Sequence, residues 1–137
     1  MSDISIAEAE IHLKAHLPPW VLDLAIIIDR IDNEVAILRA PFSPRLNRHG
    51  GTICGQAIMT LADTAMIFAI AGCLGEFKPM TTVSQTSSFL RPAAEADLVA
   101  KAHIIKPGRT IMYGEVNLFA GDMNKPIAHA TSSYMML

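Results

Sequence analysis

Apolar and polar positions along the chain follow two different periods. SIAEAEIHLKAHLPPW has helical spacing, with Ser5 and Glu8 placed as a capping box and Pro18-Pro19 barring continuation, so a short helix is expected over about residues 4–17. Val21–Ile31 and Glu34–Arg39 are rich in β-branched residues and flank Asp32-Asn33, which predicts a hairpin. PFSPRLNRHGG, from Pro41 to Gly51, is loop by composition. Thr52–Leu74 is long, rich in Ala and Met and poor in breakers, and predicts one long helix. Four β-rich runs follow, Met80–Leu90, Asp97–Lys106, Thr110–Ala120 and Ile127–Met136, separated by RPAAEA, PGR and GDMNKP.

Two of these runs alternate. Leu98, Ala100, Ala102 and Ile104 share a face opposite Asp97, Lys101 and His103, and Met112, Val116 and Leu118 oppose Glu115 and Asn117. An antiparallel sheet with one covered face follows. The last run is mixed on both faces and its orientation stays open. Only the long helix is apolar enough to cover the sheet, so an α+β arrangement with the sheet wrapped around that helix is expected.

Composition narrows the picture. A chain of 137 residues, 51% of them hydrophobic, has the length of a single domain spanning 1–137. With 11 basic and 13 acidic residues the net charge is −2, which provides no footprint for nucleic acid. Two cysteines, Cys54 and Cys73, and no secretory leader pattern suit a reduced cytoplasmic protein. The long helix contains Gln56, Thr60, Asp63 and Thr64, so no membrane insertion is expected.

Between His49 and Glu76 the only charged side chain is Asp63. Helical spacing puts Thr52, Gln56, Thr60, Asp63 and Thr64 in one polar seam. An acid there is either partnered by Thr64 or a neighbouring strand, or is a base or nucleophile in a partly desolvated pocket. GGTICG, with Gly50, Gly51 and Gly55, leaves backbone N–H groups approachable at the positive end of the helix, where an oxyanion would be stabilised. Eight residues separate Gly55 from Asp63, about 12 Å of helix rise, so both can act on one carbonyl only if two chains supply them. A twofold dimer with antiparallel central helices meets that condition.

NRHGG, CGQAIMTLADTAM, TVSQTSSFLRPA and IIKPGRT, in that order, resemble the hotdog-fold acyl-CoA thioesterases of the phenylacetate-degradation (PaaI) type, over roughly Leu22 to the C-terminus. The resemblance implies a hotdog fold, a homodimer or a dimer of dimers, and hydrolysis of an acyl-CoA substrate at the dimer interface with no cofactor. It implies that Asp63 is the base or nucleophile, that Gly55 gives its N–H to the thioester oxygen, that the loop asparagine is Asn47, and that Thr82, beside Thr81, helps hold the attacking water.

Many relatives carry His-Gly-Gly where this chain reads Cys54-Gly55-Gln56, and His49 lies five residues too early to replace the imidazole. Cys54 is expected to be a packed thiol and Gln56 to offer its amide. Gly51, Arg91, Lys106 and Arg109, with Arg45 and Arg48, are candidates for contacting substrate, the cations through CoA phosphates. His103 and His129 have no ligand-spaced partner, so no metal site is expected. Pocket depth is assigned to Ile67, Phe68 and Phe89. The alternatives are a non-catalytic acyl-CoA-binding dimer and, further off, an enoyl thioester hydratase, which needs a positioned histidine.

Overall fold

The computed structural model describes residues 3–93 and 95–137; residues 1 and 2, and Ala94 within the RPAAEA turn, lie outside the described residues. Helix α1 spans Ile6–His16, and the Ser5 hydroxyl accepts the Glu8 N–H at 3.1 Å. The chain does not then enter a strand at Val21. Pro19 opens a one-turn helix, α2 (Pro19–Leu22), with the Pro18 carbonyl accepting the Val21 and Leu22 N–H groups. Proline's fixed φ suits the first helical position, and this local geometry overrides the β-rich composition of the segment.

Strand β1 is therefore only Ile27–Ile31, paired antiparallel with β2 (Ala36–Ala40). Their turn is set by the Asp32 carboxylate, which accepts the N–H groups of Glu34 and Val35. The following loop contains a single 3-10 turn at Pro44–Leu46.

Helix α3 runs Gly55–Leu74 and ends on Gly75 in the left-handed conformation. It begins three residues later than the composition predicts, because Ile53 is drawn into a bridge with Asn47; Thr52 accordingly lies off the helix and outside its polar seam. Strands β3 (Met80–Phe89), β4 (Leu98–Pro107), β5 (Ile111–Ala120) and β6 (Ala128–Met136) complete one antiparallel sheet in the order β1-β2-β4-β5-β6-β3.

The sheet wraps α3, as a hotdog fold does. Leu98, Ala100, Ala102, Met112, Val116 and Leu118 face inward and are buried, together with Leu61, Ala62, Ala65, Met66 and Ile70 of the helix. The approach is close: a Cβ on Gly72 would lie 2.3 Å from the Asp32 carbonyl oxygen, so any larger residue would push α3 away from the first hairpin. Among the described residues α3 alone has the length and hydropathy of a membrane span, and it is the core helix, largely covered by the sheet.

The inner face of β6 is Ala128, Ala130, Ser132 and Tyr134. Its polar members made the strand's pattern ambiguous, and each has a partner on a neighbouring element.

Candidate active site

Strand β3 lies at the sheet edge and runs against the polar side of α3 in the opposite direction. Three contacts and one shared cavity fix this alignment. The Phe89 ring covers Gly55, where an added Cβ would meet it at 3.2 Å. Gln85 donates its amide to the Met59 carbonyl at 3.2 Å. Thr82 donates its hydroxyl to Asp63 Oδ1 at 3.0 Å. Met80 and Ile67 line one cavity. A bulge between Thr82 and Ser84 shifts the register midway and keeps Thr82 and Gln85 both turned toward the helix.

The seam on α3 divides into two kinds of polar group. Thr60 and Thr64 donate back to the carbonyls of Gln56 and Thr60, at 2.7 and 2.8 Å, so the helix itself satisfies them. Asp63 instead reaches across to the sheet. Besides Thr82, it accepts from the Tyr134 phenol, which also donates to the Asp63 backbone carbonyl at 2.8 Å. Both side-chain donors converge on Oδ1. Oδ2 has no hydrogen-bond partner among the described residues, and Asp63 is half-buried and accessible.

Tyr134 is 1% exposed. Burial and then the neighbouring Asp63 carboxylate push its phenol well above the ordinary value, so it persists as a neutral donor. No sequence motif marked it. Its signal was the tyrosine standing at an inward position of a strand whose inner face also carries Ser132.

At the other end of the seam α3 starts with Gly55 on a Cys54 cap that makes no side-chain capping bond. The first backbone bond is Ile58 N–H to the Cys54 carbonyl. Helix geometry thus leaves the first N–H groups, that of Gly55 among them, without intrahelical acceptors, at the positive end of the dipole.

A cavity of about 560 Å³ opens at this point, lined by Gly55, Ile58, Phe89, Arg48, His49 and Arg91 among others. His49, five residues before the position of the family's imidazole, is exposed and lines the same cavity as Gly55, ahead of a turn through Gly50 and Gly51, both at positive φ.

The remaining expected residues are distributed as follows. Cys54 is a free, half-buried thiol packed on the core. Gln56 is exposed on the first turn of α3. Asn47 is half-buried, and its Oδ1 has no hydrogen-bond partner among the described residues. Gly51 is an exposed turn residue whose N–H bonds the Arg48 carbonyl, and it does not line the cavity. Arg91 lines the cavity while donating to the Pro126 carbonyl at 2.6 Å. Lys106 is the penultimate residue of β4 and Arg109 lies in the β4–β5 turn; neither they nor Arg45 line the cavity at the helix start.

The three residues assigned to pocket depth separate. Phe89 stands at the helix start, whereas Ile67 and Phe68 line a second cavity beyond Asp63. His103 and His129, distant in sequence, converge on Glu115 on the outer face, at 3.2 and 2.9 Å. Among the described residues no group of three or more His, Cys, Asp or Glu side chains is arranged to hold a metal ion.

A model of the thioesterase superfamily matches residues 49–127, a span that contains Gly55, Asp63 and Thr82. Solved structures share the fold along nearly the whole chain. A protein from Silicibacter sp. TM1040 that carries a provisional thioesterase name superposes with a TM-score of 0.85 at 25% identity, over 100% of this chain and 93% of its own. A thioesterase family protein from Silicibacter pomeroyi gives 0.82 at 24% identity, over 97% and 98%. A thioesterase from Haemophilus influenzae gives 0.85 at 20% identity, over 99% and 92%. No curated protein matches the sequence significantly.

Proposed function

The chain belongs to the thioesterase superfamily, and from that premise we propose that it hydrolyses an acyl-CoA thioester, of the aryl or medium-chain kind handled by the phenylacetate-degradation type, at a site shared by two copies of the chain. The observation that carries this reading is the Asp63 carboxylate, fixed through one oxygen by Tyr134 and Thr82 and open at the other.

In the reaction, a water oxygen attacks the thioester carbonyl carbon while its proton passes to Asp63. The carbonyl oxygen takes up negative charge beside the Gly55 N–H of the second copy. The tetrahedral intermediate then collapses with cleavage of the C–S bond, the thiolate of CoA recovers the proton, and the free acid remains. Thr82 has committed its one proton to Asp63, and its oxygen retains a lone pair that can accept from the attacking water.

Gly55 and Asp63 belong to one continuous helix, about 12 Å apart along its axis, which is why the second copy is needed. The surface suits one. Strand β3 is a ten-residue edge with its outer backbone groups unpaired in the sheet; Val83 on it is 55% exposed and Leu90, just beyond its end, is 54% exposed. Gln56 and Met59 are exposed on the same side of α3. Arg48 and Arg91, which line the cavity at the helix start, offer cationic partners to the phosphates of CoA.

The test follows free thiol release from a set of aryl- and acyl-CoA esters. Hydrolysis abolished by Asp63→Asn supports the reading. Tight CoA ester binding without thiol release, unaffected by that substitution, would replace it with a binding protein.

A further inference from the structure

Helix α1 lies outside the span matched by the superfamily model, yet it lines a cavity that begins at Ile67, one helical turn beyond Asp63. His12 and His16 are one helical turn apart on α1 and share a face. Their rings stack at 5.3 Å, and His12 in turn stacks on Phe77 at 3.8 Å with 14° between planes. These rings form one wall of a cavity of about 490 Å³, whose other walls include Ile67, Lys78 and Met80.

The position of the cavity follows from two registers. Ile67 is four residues after Asp63, one turn and about 6 Å further along the same face of α3. Met80 is two residues before Thr82 and so lies on the same face of β3. Both elements that hold the acid therefore carry the site one step onward into this cavity, away from Gly55. A thioester whose carbonyl sits at Asp63 has this cavity within reach of its acyl group, one helical turn away.

The chemistry of the walls is selective. Ile67, Phe77 and Met80 offer an apolar lining, within the size range of small-molecule sites. Among the described residues the only titratable side chains on the walls are His12, His16 and Lys78, with no carboxylate bordering the cavity. An acyl chain ending in a methyl group uses none of these three. An acyl chain ending in an anion gains charge-assisted hydrogen bonds from them.

We propose that this cavity receives the acyl group of the substrate and selects one whose far end carries a carboxylate, held by Lys78 with His12 and His16. The orientation rests on the thioester-hydrolysis reading above; the anion preference rests on the cavity itself.

The experiment compares the CoA monothioester of hexanedioic acid with hexanoyl-CoA, matched in chain length. Wild-type protein is expected to favour the former in kcat/KM by about tenfold or more, the worth of one hydrogen bond to a charged group. His12→Phe, which keeps the stacking ring and removes the nitrogens, and Lys78→Met, on the rim, should each reduce that ratio. In parallel, calorimetry measures binding of free hexanedioate and hexanoate, which requires no turnover. Equal kcat/KM for the two esters together with equal binding of the two acids overturns the proposal, as does a preference that neither variant lowers. Absence of thiol release from every ester, with preferential hexanedioate binding that the variants weaken, would sustain the cavity's assignment and sink the hydrolase.

Discussion

Tyr134, near the end of the last strand, donates its phenol to both the side chain and the backbone carbonyl of Asp63, 71 residues earlier on the core helix. One hydroxyl thus ties the helix to the sheet at the residue proposed to perform the chemistry. Its effect is to lock the Asp63 side chain into one rotamer, with Thr82 as the second anchor.

Tyr134→Phe removes that anchor and keeps the ring. We expect kcat to fall on the order of 10²-fold through misplacement of the carboxylate, with a stability loss of about 1.5–3 kcal/mol for a hydrogen bond to a charged group. Steady-state kinetics and denaturant unfolding measure the two effects separately. A variant as active as wild type would show that Thr82 alone positions the acid.

The same phenol makes stability depend on alkaline pH. Its value in the folded chain is raised by burial first and by Asp63 second, while in the unfolded chain it returns to about 10. Above that pH the unfolded chain has lost a proton that the folded chain retains, so the contribution is complete below about pH 10 and declines as pH rises further. Melting temperature plotted from pH 8 to 11 should fall more steeply for wild type than for Tyr134→Phe. Parallel curves would place the titration elsewhere.

Asp63→Asn is close in shape but is neither a base nor a nucleophile. Turnover should drop by about 10²–10⁴-fold, with circular dichroism and oligomeric mass unchanged, since Thr82 and Tyr134 can still donate to the amide oxygen. Full activity in this variant would remove Asp63 from the mechanism.

How far the sequence carried depends on which rule governed each segment. Strands β4 and β5 were legible because burial of one face imposes a period on them, β3 and β6 because β-rich runs stand between turn signals, the core helix because its apolar run is long and free of breakers, and Asp63 because it interrupts that run. Tyr134 was not, because the inner face of β6 is partly polar in order to serve Asp63, which erased the alternation that would have oriented the strand. Val21–Ile31 misled in the opposite way: its composition is β-rich, but Pro19 sets a helical turn before the strand begins. That His49 lines the cavity was not legible either, since a loop through two glycines at positive φ does not advance like a helix. The meeting of His103 and His129 at Glu115 is a cross-strand relation that linear spacing cannot display.

The shared site yields the most discriminating prediction. Gly55 is the first residue of α3, a position that accepts proline because its N–H has no intrahelical acceptor. Gly55→Pro therefore deletes the proposed oxyanion donor with little cost to the helix. Gly55→Ala is the control: it keeps the N–H and introduces the same 3.2 Å Cβ approach to Phe89. Gly55→Pro and Asp63→Asn should each be nearly inactive alone. In a mixed dimer of the two, one site combines both lesions, while the other joins an intact Asp63 from one chain to an intact Gly55 from the other. Unfolding and refolding the two variants together should thus restore roughly a quarter of wild-type activity, half the dimers being mixed and each holding one intact site. A site contained within one chain predicts no recovery at any mixing ratio, since every chain would then carry a lesion of its own.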